Sequence, residues 1–216
     1  MIPYYLGDVV FPSSVDTEPS FDLFCTSFKN FDFRSQILGG HGTGKTTFLI
    51  EFVQFLERQG YIVNHFTLHD GQRTLTNEFL ERHISLVSQY KIEMVKKPPI
   101  AVIDGYEQLS LAQKIRLRLS CRKGKSGLLI TTHSPAWRLP VLLRTETTLD
   151  TLQHIIGYVF RSLPHIEPPD KALCQSLFHQ HQGNLRSVLF DLYDLYEELH
   201  FSSSRNRVEQ SFQGDE

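Results

Sequence analysis

The run GGHGTGKTTFL, from Gly39 to Leu49, restricts what this chain can fold into more than any other stretch. It follows RSQIL, which reads as a short buried strand, and leads into Phe48, Leu49, Phe52, Val53 and Leu56, spaced as one face of a helix that ends by Gly60. A strand that turns through glycines into a helix aims backbone N–H groups and the positive end of the helix dipole at one point. The spacing Gly39-x-x-x-x-Gly44-Lys45-Thr46 adds an ammonium and a hydroxyl there. That set suits a polyphosphate. Gly39, Gly40, His41, Gly42, Thr43, Gly44, Lys45, Thr46 and Thr47 would wrap the phosphates, with Lys45 reaching the terminal groups and Thr46 a Mg2+.

A phosphate loop of this kind needs an acid at the end of a neighbouring strand to hold the metal. The run IAVID supplies Asp104, at a distance along the chain that fits a β-α-β-α-β path. YIVNHFTL, GLLITT and LPVLLRT read as further strands, and a helix is expected over about residues 75–95, stopped by two prolines. The segment LAQKIRLRLSC fits either period, with Leu111, Ile115 and Leu119 in helical register and Ile115, Leu117 and Leu119 alternating. The βα rhythm around it favours a helix. The expected fold class is therefore α/β, a mainly parallel five-stranded sheet between helices with its site at the carboxyl ends of the strands.

After Thr148 the pattern becomes purely helical, most clearly in NLRSVLFDLYDLYEEL, whose leucines form one stripe. The expected division is an irregular N-terminal wrap over 1–34, an α/β core over 35–147, a helical lid over 148–200 and a disordered tail over 201–216. Three widely spaced cysteines offer no disulfide framework or metal spacing. No apolar run reaches the ~20 residues of a bilayer span. MIPYYLGDVVFPSS lacks a basic stretch before an apolar core, so no secretion signal is expected and the cytoplasm is the expected location.

With these residues the chain resembles the P-loop NTPases of the AAA+ and STAND group. Many AAA+ proteins follow the strand-end aspartate directly with a catalytic glutamate. Here Asp104-Gly105-Tyr106-Glu107-Gln108 is more similar to the NACHT-type STAND pattern, which places Asp-Glu three residues on. The resemblance implies ATP and Mg2+ as ligands, with Asp104 and Thr46 in the metal environment and Glu107 as the base or water-orienting group. It also implies a polar sensor at the end of the next strand, within Thr131-Thr132-His133, where Thr132 or His133 would meet the γ-phosphate. The Gly-Asn-hydrophobic-Arg start of the last helical segment implies that Arg186 reaches the nucleotide. Neither an LSGGQ-like signature nor a guanine-reading Asn/Thr-Lys-x-Asp motif is present.

The expected function is an ATP-binding, ATP-hydrolysing molecular switch or remodelling or assembly ATPase. A small-molecule P-loop kinase and a nucleotide-dependent scaffold without turnover are the alternatives. A protein partner or self-association is expected. Lys114, Arg118, Arg122 and Lys125 recur at helical spacing, as would suit a nucleic-acid contact, an acidic partner or an arginine acting in trans, though a solvated helix face is the simpler reading. Arg144 is a weaker candidate for the same roles. His179 and His181, two apart, point to different sides of a helix and give no metal site.

Overall fold

In a computed structural model that describes residues 21–93, 97–163 and 165–212, alternating strands and helices dominate up to Thr145 and helices alone follow. The elements are α1 (Phe21–Asn30), β1 (Arg34–Gly39), α2 (Lys45–Arg58), β2 (Val63–Thr67), α3 (Asn77–Glu93), β3 (Ile100–Asp104), a 3-10 turn (Tyr106–Gln108), α4 (Leu111–Gly124), β4 (Gly127–Thr132) and β5 (Val141–Thr145). Then come α5 (Leu149–Arg161), α6 (Lys171–Gln180) and α7 (Leu185–Phe212). The fold class is α/β with five strands, all parallel, in the order β2-β3-β4-β1-β5.

The order follows from burial. β3 and β4 are buried at every position, so each must have helices on both faces and strands on both edges. Successive side chains face opposite ways. Ile100 and Val102 enter one core with Phe28, Phe48 and Phe52, while Ala101 and Ile103 enter another with Phe79, Leu117 and Cys121. The first core is built largely of rings, with Phe24 edge-on to Phe48 at 4.9 Å and Phe48 stacked on Phe52 at 5.6 Å.

By its contacts the chain divides into two compact units. One comprises residues up to Gly40 with Gly44–Glu146, and the other His41–Thr43 with the residues from Thr147 on. The second unit has its own core of Leu152, Ile156, Cys174, Leu185, Val188 and Leu192. Its helices start where capping chemistry allows. Thr148 accepts from the Thr151 N–H, Asp170 from that of Leu173, and Asn184 from that of Ser187.

Two sequence expectations change, and one ambiguity resolves as the βα rhythm favours. Residues 21–30, read as part of an irregular wrap, form α1, because Phe21, Phe24, Cys25 and Phe28 recur at helical spacing and meet α2; residues 1–20 lie outside the described residues. The segment read as a disordered tail is helical as far as Phe212, since no glycine or proline interrupts the chain between Leu185 and Phe212. The ambiguous segment is a helix, with Leu117 and Cys121 turned inward and Leu111, Ile115 and Leu119 left exposed.

Where α3 and α4 meet the sheet, His83 is buried and its Nε2 lies 3.0 Å from the Ser126 hydroxyl and 3.9 Å from the Cys121 sulfur. Burial pushes the Cys121 thiol up to about 11 and lowers the His83 pKa below its usual 6.5. The unfolded chain therefore binds a proton at this histidine before the folded chain does. Stability from this site is complete above pH 6.5 and is lost as pH falls below it. Urea unfolding of the native chain between pH 7.5 and 5 should show that loss, and His83→Leu should flatten the slope.

Candidate active site

The strand order brings the carboxyl ends of β1, β3 and β4 side by side, because β4 pairs with both β1 and β3. β1 runs out at Gly39, and α2 begins at Lys45 after Gly44 in a left-handed conformation (φ 87°). The Lys45 side chain is buried and curls back over the loop, donating to the carbonyls of Gly39 (2.8 Å) and Gly40. One turn of helix places the Thr46 hydroxyl where it donates to Asp104 Oδ2 at 2.9 Å.

Asp104 ends β3 and is 6% exposed. Its register neighbour on β4 is fixed by the pairing Ile103↔Ile130, which puts Thr131 alongside. The Thr131 hydroxyl donates to Asp104 Oδ1 and accepts from the Gly105 N–H at 2.9 Å. A buried carboxylate is costly unless it is paired or fully hydrogen-bonded. Among the described residues no lysine, arginine or histidine forms an ion pair with Asp104. Two hydroxyl donors and a carboxylate outside ion-pair distance of any described cation form a hard-oxygen set, and that set fits a divalent cation of the Mg2+ type.

Gly105 explains why no glutamate follows the aspartate. Its φ is 78°, and a Cβ there would lie 3.0 Å from Gln108 Nε2 and 3.3 Å from the Leu68 carbonyl. The left-handed step turns the chain into the 3-10 turn, which carries Glu107 back beside the end of β4. Glu107 Oε1 lies 3.5 Å from His133 Nε2, while Oε2 is buried with no hydrogen-bond partner. An orphaned carboxylate oxygen inside a protein calls for an explanation. The turn itself is held at both ends. Lys114 Nζ donates to the Glu107 carbonyl at 2.9 Å and sits 5.4 Å from the Tyr106 ring centroid, and Gln108 Nε2 donates to the Leu68 carbonyl at 3.3 Å.

The structure thus groups Gly39, Gly40, Gly44, Lys45, Thr46 and Thr47 with Asp104, Glu107 and His133 in one unit. Thr132 is at the same strand end, but its hydroxyl donates to the Ser134 carbonyl at 2.9 Å. The threonine joined to the aspartate is Thr131, one residue earlier. Strand alternation carries that signal: Thr131 and Asp104 are level on neighbouring parallel strands. His41, Gly42 and Thr43 belong to the second unit, as does Arg186, which is exposed in the first turn of α7. In that unit a Cβ on Gly42 (φ 67°) would stand 1.9 Å from Asn184 Oδ1, so only glycine fits. Lys114 and Arg118, read as one basic helix face, are half-buried and engaged with backbone carbonyls; Arg122 and Lys125 are exposed. His181 is paired with Asp191 at 2.6 Å, and no His/Cys/Asp/Glu cluster able to hold a metal occurs among the described residues.

No protein-family model and no curated protein matches the sequence. Solved structures do. One, a DNA replication initiation factor, is 14% identical with a TM-score of 0.51, over 86% of this chain and 62% of that one. The likeness is one of fold, an α/β domain built on a five-stranded parallel sheet. The AMPPCP-bound DnaA from Aquifex aeolicus is 14% identical with a TM-score of 0.49, covering 89% of this chain and 67% of that one. PCH-2 from C. elegans is 13% identical at 0.48, covering 69% and 49%. The chain thus spans about three fifths of the length of the replication initiation factor it matches. No helix among the described residues is long and apolar enough to cross a membrane.

Thr131 serves two partners, so removing its hydroxyl leaves both a carboxylate oxygen and a buried N–H unmet. Thr131→Val should cost about 1–3 kcal/mol in urea unfolding, and Thr131→Ser distinctly less.

Proposed function

We propose that this chain binds ATP with Mg2+ at the Gly39–Thr47 loop and hydrolyses it, as a molecular switch or assembly ATPase of the AAA+/STAND kind. The observation that carries the reading is the joint placement of the loop lysine, the Thr46–Asp104–Thr131 net and the partnerless Glu107 oxygen at one strand edge. Backbone N–H groups and Lys45 take the phosphate oxygens, Lys45 leaving the Gly39 and Gly40 carbonyls to do so. Thr46 and Asp104 would hold Mg2+, which neutralises phosphate charge when bound.

The Glu107 carboxylate accepts a hydrogen bond from the attacking water and takes its proton as the water oxygen bonds to the γ-phosphorus. The bond from that phosphorus to its bridging oxygen breaks, and ADP leaves with the electron pair. His133, 3.5 Å from the other carboxylate oxygen, orients Glu107. Thr132, at the end of β4, is assigned to the γ-phosphate as a polar sensor. A switch of this kind works on a protein partner or on further copies of itself, in the ATP-supplied cytoplasm. The glycine step and the displaced glutamate are the features that favour a NACHT-like arrangement over the adjacent Asp-Glu pair.

Turnover and binding separate under mutation. Lys45→Ala should abolish binding of a fluorescent ATP analogue. Glu107→Gln should bind it normally and lose about 10²–10⁴-fold in phosphate release. Normal turnover in Glu107→Gln would remove that residue from the mechanism, and tight binding without phosphate release by the native chain would make it a scaffold.

A further inference from the structure

Residues 108–145 contain eight lysines and arginines and not one aspartate or glutamate, although the whole chain carries a net charge of −2. This segment includes α4 and the β4–β5 connection. Arg116, Arg122, Lys123 and Lys125 are exposed along or just beyond α4. Arg118 and Arg122 stand one turn apart on α4 (i, i+4), about 6 Å at 1.5 Å per residue, and Lys125 follows in the left-handed position that caps the helix.

Beside that row stands Trp137, the single tryptophan of the chain, 71% exposed. Arg118 Nη2 donates to the Trp137 carbonyl, which ties the β4–β5 connection to α4. Arg138 lies over the indole at 4.2 Å from the ring centroid. Arg138 has a left-handed backbone, φ 55°, which a residue with a Cβ visits at a cost. An exposed indole with a cation on one face, next to an acid-free basic row, is unexplained by packing. Exposed tryptophans are uncommon, and this one is held rather than loose.

We propose that this surface binds single-stranded nucleic acid. One base stacks on the open face of Trp137, and the phosphates that follow run along Arg118, Arg122 and Lys125. Stacking on an aromatic face is tolerant of sequence and is strengthened by a neighbouring arginine. The ~6 Å step from Arg118 to Arg122 suits successive phosphates of an extended strand. Duplex fits less well, since its bases are closed to the indole. The exposed Leu111, Ile115 and Leu119 form a separate stripe on the same helix, and an acidic amphipathic helix is the rival occupant.

Because the chain has one tryptophan, its own fluorescence reads the contact. Titrating the native chain with unlabelled dT20 and with rU20 at about 50 mM salt should quench Trp137, and the tighter of the two names DNA or RNA as the ligand. Anisotropy with labelled dT20 should show Trp137→Ala binding roughly 5- to 100-fold more weakly, with Trp137→Phe largely restored. Arg122→Ala with Lys125→Ala should lower the salt slope by about 1.4, at ~0.7 per phosphate contact. Circular dichroism melting should be the same for every variant. The proposal fails if single strands neither bind nor quench. It fails equally if duplex binds as tightly without quenching, or if a Glu/Leu amphipathic peptide binds where single strands do not.

Discussion

The Asp104 carboxylate, shared between Thr46 on α2 and Thr131 on β4, is the interaction on which the rest of the site depends. Its burial would be unfavourable without those donors, and the donors are present only because of the sheet order. Inserting β4 between β1 and β3 puts Thr131 level with Asp104, and the left-handed Gly44 starts α2 so that Thr46 faces the same oxygen pair. A different strand order would leave the aspartate without one of its partners. Fold and site are therefore one constraint at this point.

The same aspartate sets the course of the chain after it. A glycine must follow, since the backbone turns left-handed against the Leu68 carbonyl and the Gln108 amide. The short 3-10 turn then returns a carboxylate, Glu107, beside His133. Lys114 reaches from α4 to clamp the Glu107 carbonyl, so the position of α4 and that of Glu107 are mechanically linked. Anything that shifts α4 acts on Glu107 through this lysine.

Much of this was legible in the sequence, and the exceptions have physical causes. The strands were readable because short apolar runs such as IAVI and GLLI, bounded by Pro, Gly and Asp, suit strands buried on both faces. The spacing of the phosphate loop and Asp104 was readable because each requires particular residue types. Two contacts depend on which neighbour a side chain finds. Thr131 and Thr132 both end β4, and strand register gives the Asp104 contact to Thr131. Lys114 looked like part of a solvated basic face, whereas its long stem lets it reach a backbone carbonyl. The α1 helix was missed because prolines and serines before it masked the Phe21, Phe24, Phe28 spacing. Trp137 carries no periodic signal at all, and only the placement of Arg118 and Arg138 around it gives it meaning.

The central claim is that the Thr46–Asp104 pair completes a metal-assisted phosphate site. Calorimetric titration of ATP into the native chain and into Asp104→Asn, each with and without Mg2+, addresses it directly. The account predicts one saturable site in the native chain that Mg2+ tightens at least tenfold, and an Asp104→Asn chain whose ATP affinity no longer responds to Mg2+. No heat of binding in the native chain, or an undiminished Mg2+ response in Asp104→Asn, would contradict it.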